Sequence, residues 1–321
     1  MKTILSPRAL AQAIGVSESS LKRWADDGRI QVARTAGGHR RIPLPEAIRF
    51  IRESGLALAQ PELIGLPELA QAQRLAAVDD VAGREALSQR LVQALSDGEE
   101  PLARGIILDL FLAGQDIPSI CDGPLREAMQ RVGELWLHGE AGVFIEHRAT
   151  DIAIHTLALL RSLVVRDAVQ HDLEHHGNGG NGGNGNGGNG RGRRPVAIGG
   201  APSRDPYLLP SMMAAVTLAE CGFRDVNLGP ETPATALRAA IDHYHPRIVW
   251  LSVSVKESVP SQRELALIAE EAAARGGALV IGGRGLDGVP LPRRRDVHRV
   301  SSMAELASYA RGLMAGGAGR N

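Results

Sequence analysis

The run Val16–Pro43, VSESSLKRWADDGRIQVARTAGGHRRIP, constrains the fold of this chain more than any other stretch. It places a short polar helix, a glycine stop and a glycine-turned basic hairpin in direct succession. Upstream, Ser6-Pro7 has the form of a helix start: Ser accepts a bond from an orphan amide, and Pro fits the first turn. Ala9, Leu10, Ala13 and Ile14 supply one apolar face, and Gly15 ends that helix with a tight turn. Ser17 caps a second helix, in which Val16, Leu21 and Trp24 fall at inward positions while Ser19, Ser20, Lys22 and Arg23 stay outside. Gly37-Gly38 permits the positive backbone angles of a hairpin turn, and His39, Arg40 and Arg41 follow on the returning strand. Cap, turn, helix and ribbon in this order predict a winged helix-turn-helix whose second helix fits a major groove. The plainer alternative is a small solvated helical domain with a basic loop.

Across all 321 residues the charge cancels, with 36 Lys and Arg against 36 Asp and Glu. The cancellation conceals a segregation. Residues 1–55 carry ten basic residues (Lys2, Arg8, Lys22, Arg23, Arg29, Arg34, Arg40, Arg41, Arg49, Arg52) and five acidic ones (Glu18, Asp26, Asp27, Glu46, Glu53). That segment is therefore at +5 and the remainder at −5. A basic head on an acidic body suits duplex DNA, with attraction at one surface and no general stickiness. Each phosphate neutralised there adds about one unit to the salt dependence.

The phrase Arg34-Thr35-Ala36-Gly37-Gly38-His39-Arg40-Arg41 resembles the wing motif of the MerR family of transcription regulators, and Leu21-Lys22-Arg23-Trp24 resembles its recognition helix. The resemblance covers residues 3–54. It implies that Lys22 and Arg23 contact promoter DNA from the helix, and Arg34, His39, Arg40 and Arg41 from the wing. Ser19, Thr35 and Gly38 complete the candidate DNA-binding set.

The length allows two or three domains. Cys121 and Cys221 stand far apart without metal-ligand spacing and read as free buried thiols in a reducing compartment. No apolar run reaches membrane-spanning length, and the N-terminal residues have no signal-peptide core, so the expectation is a cytoplasmic protein with no membrane partner. The run Gly177–Gly192, with ten glycines and five asparagines, cannot bury apolar surface and reads as a tether. A softer boundary lies at Ala57–Pro67. The expected segments are residues 1–56, the DNA-binding head; 57–176, a helical bundle; 177–193, a linker; 194–315, an α/β domain; and 316–321, a tail.

In the middle segment, helices are expected at Arg84–Leu95, Pro101–Leu112, Pro118–Leu137 and Val143–Val169, separated by short Gly, Asp and Pro breaks as a four-helix bundle requires. Ile145, Ala149, Ile152, Ala153, Thr156, Leu160 and Leu163 follow the spacing of a buried stripe. Trp136 and the pair Glu146-His147 fall at one end of this bundle and together can present an apolar wall and two hydrogen-bonding groups to a ligand. A core Trp and an ordinary helix-start carboxylate are the alternative. The pattern is similar to the helical cap of CarH-type regulators, the cobalamin-dependent, light-sensing branch of the MerR family. That resemblance implies Trp136 near the upper axial ligand and Glu146 and His147 in contact with it. Light-sensing members carry His immediately after the Trp. Here Leu137 stands there, and His138 is turned about 100° further round the helix. No light-driven change of assembly is expected.

After the tether, strands alternate with helices: Pro195–Gly199, Asp225–Leu228, Ile248–Val253, Ala278–Ile281 and Val297–Val300. The helices between and after them are Leu208–Cys221, Ala234–Tyr244, Gln262–Arg275 and Met303–Leu313. This predicts a flavodoxin-like, doubly wound parallel sheet with its ligand at the carboxyl ends of the strands. Strand ends without an acidic cluster disfavour a receiver domain, and the lack of a glycine-rich first turn disfavours a nucleotide site. The segment resembles the cobalamin-binding fold, through Ser252 after the third strand, Gly282-Gly283 after the fourth, Leu228-Gly229 and Cys221-Gly222-Phe223. The family's lower-ligand motif, Asp-x-His-x-x-Gly, is altered to Asp205-Pro206-Tyr207-Leu208-Leu209-Pro210. A phenol is a poor substitute for a neutral nitrogen ligand, and Pro210 stiffens the loop.

The candidate ligand-binding set is Trp136, Glu146, His147, Tyr207, Ser252, Gly282 and Gly283, with no metal site and no catalytic residues. The reading is a DNA-binding regulator, a repressor by resemblance, that acts as a dimer or tetramer. Its bundle and sheet sense cobalamin or a related tetrapyrrole without a His lower ligand. The alternative is a regulator whose cobalamin-like domain has lost its ligand and serves oligomerisation or partner binding. An enzyme such as a corrinoid methyltransferase component predicts a lower His and no DNA head, and the chain meets neither prediction.

Overall fold

The computed structural model describes residues 3–35, 38–70, 72, 81–134, 140–165 and 194–317. The chain forms two compact units: Met1–Asp116 with Pro124–Ile152 and Leu159–Arg191, and Ile117–Gly123 with Ala153–Ala158 and Gly192–Asn321. The expected tether Gly177–Gly192, the tail beyond residue 317, and Trp136, Leu137 and His138 lie outside the described residues.

The first unit opens with β1 (Ile4–Leu5), α1 (Pro7–Ala13), α2 (Glu18–Asp26), β2 (Ala33–Arg34), β3 (Arg40–Pro43) and α3 (Leu44–Ser54). The two serine caps form as their sequence context dictates. Ser6 accepts the Ala9 N–H and Ser17 the Ser20 N–H, each at 3.1 Å. The strands make a small antiparallel sheet in the order β1-β3-β2. Leu10, Leu21, Ile30, Ile42, Ile48 and Ile51 are buried. Trp24 is half-buried, with its ring centroid 5.3 Å from that of Phe50 on α3.

Residues 57–67 pack back on α1, where Ala59 and Gln60 donate their N–H groups to the Ala13 carbonyl. The unit continues through α4 (Val81–Asp97), α5 (Glu100–Leu112), α7 (Arg126–Glu134) and most of α8 (Glu140–Val164). On α8 the stripe Ala149, Ile152, Ala153, Thr156, Leu160 and Leu163 is buried as its spacing requires. The helix expected over Pro118–Leu137 is instead broken. α6 (Ile117–Ile120) ends in a turn at Cys121–Leu125, where Gly123 adopts φ −99°, ψ −106° before Pro124, and α7 restarts at Arg126. Proline removes an amide donor and drives the preceding residue out of the helical region, so the chain bends there.

The second unit holds β4 (Val196–Gly200), α9 (Leu209–Glu220), β5 (Arg224–Asn227), α10 (Ala234–Tyr244) and β6 (Ile248–Ser252). It continues with α11 (Gln262–Ala274), β7 (Ala278–Gly282), β8 (Val297–Val300) and α12 (Met303–Gly317). The five strands are parallel in the order β5-β4-β6-β7-β8, so the winding reverses between β4 and β6. Strand alternation divides the core. Val249, Leu251, Leu279 and Ile281 pack towards α10 and α11 with Leu237, Ile241, Leu265 and Ile268. Ile248, Trp250 and Val280 join Ala214, Leu218, Phe223, Leu306 and Ala310 of α9, α12 and the turn after α9. The hook Ile117–Gly123 belongs to this unit: Glu220 accepts the Ile117 N–H, and Asp122 accepts the N–H groups of Met303 and Ala304 at the start of α12. Neither cysteine forms a disulfide; Cys121 is buried as expected, whereas Cys221 is only half-buried.

Candidate functional site

Two places in the fold gather the candidate residues. The first is the face formed by α2 and the β2–β3 ribbon. Ser19, Lys22 and Arg23 are exposed on α2. Across the ribbon Arg34 stands opposite Arg40, and Ala33 opposite Arg41. Gly38 takes φ +77° at the turn, Thr35 accepts the His39 N–H at 3.2 Å, and His39 itself is exposed. The charges on this face are not equivalent. Lys22 pairs with Glu18 at 2.9 Å, and Arg40 pairs with Asp26 at 2.6 Å. Arg23, Arg34 and Arg41 form no ion pair among the described residues, which leaves their guanidinium groups available to an anionic partner.

A buried ion pair holds this face on α3. Glu46, 5% exposed, accepts the Gln31 N–H at 2.7 Å and two bonds from Arg49, which also donates to the Arg29 carbonyl at 2.9 Å. The Glu46 carboxylate raises the pKa of Arg49 against the opposing cost of its partial burial. Because residues 29–31 follow α2 directly, the network fixes the direction in which the chain leaves that helix. The i,i+3 spacing of Glu46 and Arg49 is local, but the backbone groups that they bind lie fifteen residues or more away and are not legible in the sequence.

The second place is the carboxyl edge of the parallel sheet at the β4/β6 reversal. Asp205 lies in the loop after β4 and is fully buried. Its carboxylate accepts the N–H groups of Tyr207 at 3.2 Å, Ser254 at 2.5 Å and Val255 at 3.3 Å, and the Ser258 hydroxyl at 3.3 Å. Oδ2 takes the Ser254 and Val255 amides and Oδ1 that of Tyr207, while the single Ser258 hydroxyl proton lies closer to the Val255 carbonyl, at 2.6 Å. Tyr207 is 41% exposed, with the Arg284 guanidinium 5.6 Å from its ring centroid, and Arg284 also donates to the Ser254 carbonyl at 3.2 Å. Two strained residues flank this loop. Arg204 and Glu231 have φ of 69° and 53°, and the Glu231 carboxylate accepts the Arg204 N–H at 2.6 Å. With Tyr207 standing in the imidazole's position, the residues of this edge do not fit a corrin held by a protein nitrogen ligand.

Ser252 is buried at the end of β6, paired with Gly282. The fold itself supplies a reason for glycine at both members of the Gly282-Gly283 pair. A Cβ on Gly282 would lie 2.9 Å from the Val300 carbonyl oxygen, and one on Gly283, at φ +120°, would collide with the Val253 carbonyl. Among the described residues no cluster of three or more His, Cys, Asp or Glu side chains could hold a metal ion, and no helix is long and apolar enough to cross a membrane.

Residues 87–161 match the family model described as "B12 binding domain". This stretch runs from α4 into α8 and includes Trp136, Glu146 and His147. Cobalamin is thus the cofactor to which the comparisons point. No curated protein matches the chain. Among solved structures, the monomethylamine corrinoid protein of Methanosarcina barkeri is 14% identical, with 72% of this chain and 99% of that chain covered and a TM-score of 0.49. The methanol:cobalamin methyltransferase complex MtaBC of the same organism is 16% identical over 72% of this chain and 81% of that chain, with a TM-score of 0.35. A cobalamin-binding protein from Desulfitobacterium hafniense is 15% identical over 70% and 97%, with a TM-score of 0.33. At these values no residue role follows from the likeness.

Within the matched stretch, Glu146 on α8 accepts the Thr150 hydroxyl at 2.9 Å and lies 3.6 Å from the imidazole of His147, which is largely exposed. Phe144, one turn earlier, is 56% exposed beneath the Arg148 guanidinium at 5.0 Å. Arg148 in turn donates to the Ser96 carbonyl at the end of α4. Residues missed in the sequence are therefore Phe144 and Arg148 on α8, and Arg204, Glu231 and Arg284 at the sheet edge.

Proposed function

We propose that this chain is a DNA-binding transcription regulator of the MerR type, a repressor acting as a homo-oligomer on promoter DNA, and not an enzyme. The observation that carries the reading is the juxtaposition of a serine-capped helix, exposing Ser19 and Arg23, with a basic ribbon exposing Arg34 and His39. A helix of this size enters a major groove while the neighbouring ribbon follows the backbone. The winged helix-turn-helix is residues 3–54, and the net positive charge of residues 1–55 supplies the attraction.

The same reading assigns the B12-type stretch to sensing. Cobalamin, or a related tetrapyrrole, binds without a protein imidazole beneath it. Trp136, Glu146 and His147 are the candidates from the bundle, and Tyr207, Ser252, Gly282 and Gly283 those from the sheet. Binding shifts the assembly state and thereby the spacing of the DNA-binding heads. A second reading, in which the α/β domain has lost its ligand and serves oligomerisation or partner binding, is favoured by Tyr207 and Pro210 in the altered loop motif and by the tie of Asp205 to the Ser254 and Val255 amides.

The experiment is selection of a duplex from a randomised pool by the full-length protein, followed by affinity measurements across a salt series with and without cobalamin. Salt-sensitive binding of the selected duplex that cobalamin alters is the expected outcome. Binding that cobalamin leaves unchanged supports the second reading, and no enrichment of any duplex defeats both.

A further inference from the structure

Arg40 and Arg41 are adjacent on β3, and adjacent strand residues point to opposite faces. They cannot act alike. Arg40 shares its face with Ile42, which is fully buried. Its guanidinium donates to the Asp26 carboxylate at 2.6 Å and to the Lys22 carbonyl at 3.2 Å, both in the last two turns of α2. Arg40 keeps only 21% of its side chain exposed, whereas Asp26 keeps 62%. A cation at this end of a helix is also favoured by the helix dipole. Glu18, Lys22 and Asp26 follow one another at four-residue intervals, so Arg40 completes an alternating row of charges that is neutral in sum.

From this geometry we infer that Arg40 is a positioning residue. It clamps the ribbon to the end of α2 and fixes the angle between the two DNA-facing elements, while the exposed Arg23 and Arg34 meet phosphate. The inference rests on the proposed DNA-binding reading and assigns the Asp26–Arg40 pair a role within it. It carries a counter-intuitive sign. Asp26 is an acidic residue on a surface that faces a polyanion, so its removal ought to strengthen binding by simple electrostatics. If Asp26 holds the ribbon in place, its removal weakens binding.

The test uses the full-length protein and the duplex that the wild type selects from a randomised pool. Asp26→Ala should bind about three- to fivefold more weakly, the effect of losing one largely exposed ion pair. Arg40→Met should weaken binding without changing the salt slope, whereas loss of a phosphate contact lowers that slope by about 0.9. The double exchange Asp26→Arg with Arg40→Asp should recover most of the lost affinity, although it places an acid on the ribbon. Tighter binding by Asp26→Ala, a slope reduced by about one unit in Arg40→Met, or no recovery in a folded double exchange overturns the clamp. Circular dichroism establishes which variants are folded. Should Arg40→Met unfold, Asp26→Ala decides. If the wild type enriches no duplex, the DNA-binding reading itself fails and takes the clamp with it.

Discussion

The Asp205 carboxylate accepts the backbone N–H of Ser254, joining the loop after β4 to the loop after β6 at the point where the sheet reverses its winding. Open α/β sheets ordinarily place ligands in this crevice. Here a buried acid fills part of it with the protein's own amides. The position that resembles a ligand-orienting acid is thereby turned into a structural tie between two loops.

Asp205→Ala would leave the backbone N–H groups of Tyr207, Ser254 and Val255 without this acceptor, while the Ser258 hydroxyl keeps the Val255 carbonyl. The expected cost is about 2–4 kcal/mol, since several charge-assisted bonds vanish and some of the donors are buried. Urea denaturation followed by tryptophan fluorescence, to which the buried Trp250 contributes, measures it. A loss below about 0.5 kcal/mol would remove the structural role.

Cobalamin uptake should be indifferent to Tyr207→Phe. The phenol is half-exposed beneath Arg284, and the exchange removes only an oxygen while keeping the ring. Corrin absorbance retained after desalting should match the wild type for both methyl- and adenosylcobalamin. A loss of retained absorbance specific to this variant would make the phenol oxygen a ligand.

Arg49→Met should destabilise the head by about 3 kcal/mol, because it strands the buried Glu46 carboxylate. Glu46→Gln paired with Arg49→Met should cost less than Arg49→Met alone, since no uncompensated charge remains. Thermal melts of the two variants give the comparison, and equal melting temperatures would contradict it.

The start of α11 makes stability depend on pH. Side-chain and backbone hydrogen bonds from Ser261 hold the Glu264 carboxyl below its ordinary range. Its folded-state value is depressed, so its contribution is fully present above the unfolded value and is lost as pH falls through the depressed one. The Arg294 guanidinium acts in the same direction on Asp296. Denaturation midpoints should therefore drop on acidification through the carboxylate range, and less steeply in Glu264→Gln. Glu264 is exposed, so screening keeps the difference between the two proteins small. Equal slopes in the two proteins would exclude the linkage.

Gly283→Ala should destabilise the sheet edge by about 1–3 kcal/mol or more, because the residue takes φ +120° and an added methyl meets the Val253 carbonyl. The loss should appear in protein that has never met cobalamin. A variant of normal stability that fails only in cobalamin uptake would instead assign this glycine to the ligand.

Much of the fold is legible in the chain because local rules and tertiary packing agree. The expected strand Val297–Val300 and helix Ala234–Tyr244 form with those bounds, and Ser6 and Ser17 cap as read. The helix expected over residues 118–137 fails at Gly123-Pro124, a break that is visible in the sequence. What holds the kink is distant: Asp122 bonds the start of α12, some 180 residues further along the chain. In the sequence the cations of the candidate DNA face form one undivided set. Strand alternation already separates Arg40 from Arg41, but only the packing of β3 on α2 reveals Asp26 as its partner.

By itself the sequence determined the capped helices, the glycine-bent ribbon, the five alternating βα segments and the segregation of charge, because each follows from contacts between near neighbours in the chain. Tertiary structure alone decided which of those charges remain free, that Asp205 is consumed by amides some fifty residues away, and that Tyr207 lies under Arg284. Hydrogen-bonding capacity is finite, and how a side chain distributes it depends on which groups folding brings within reach.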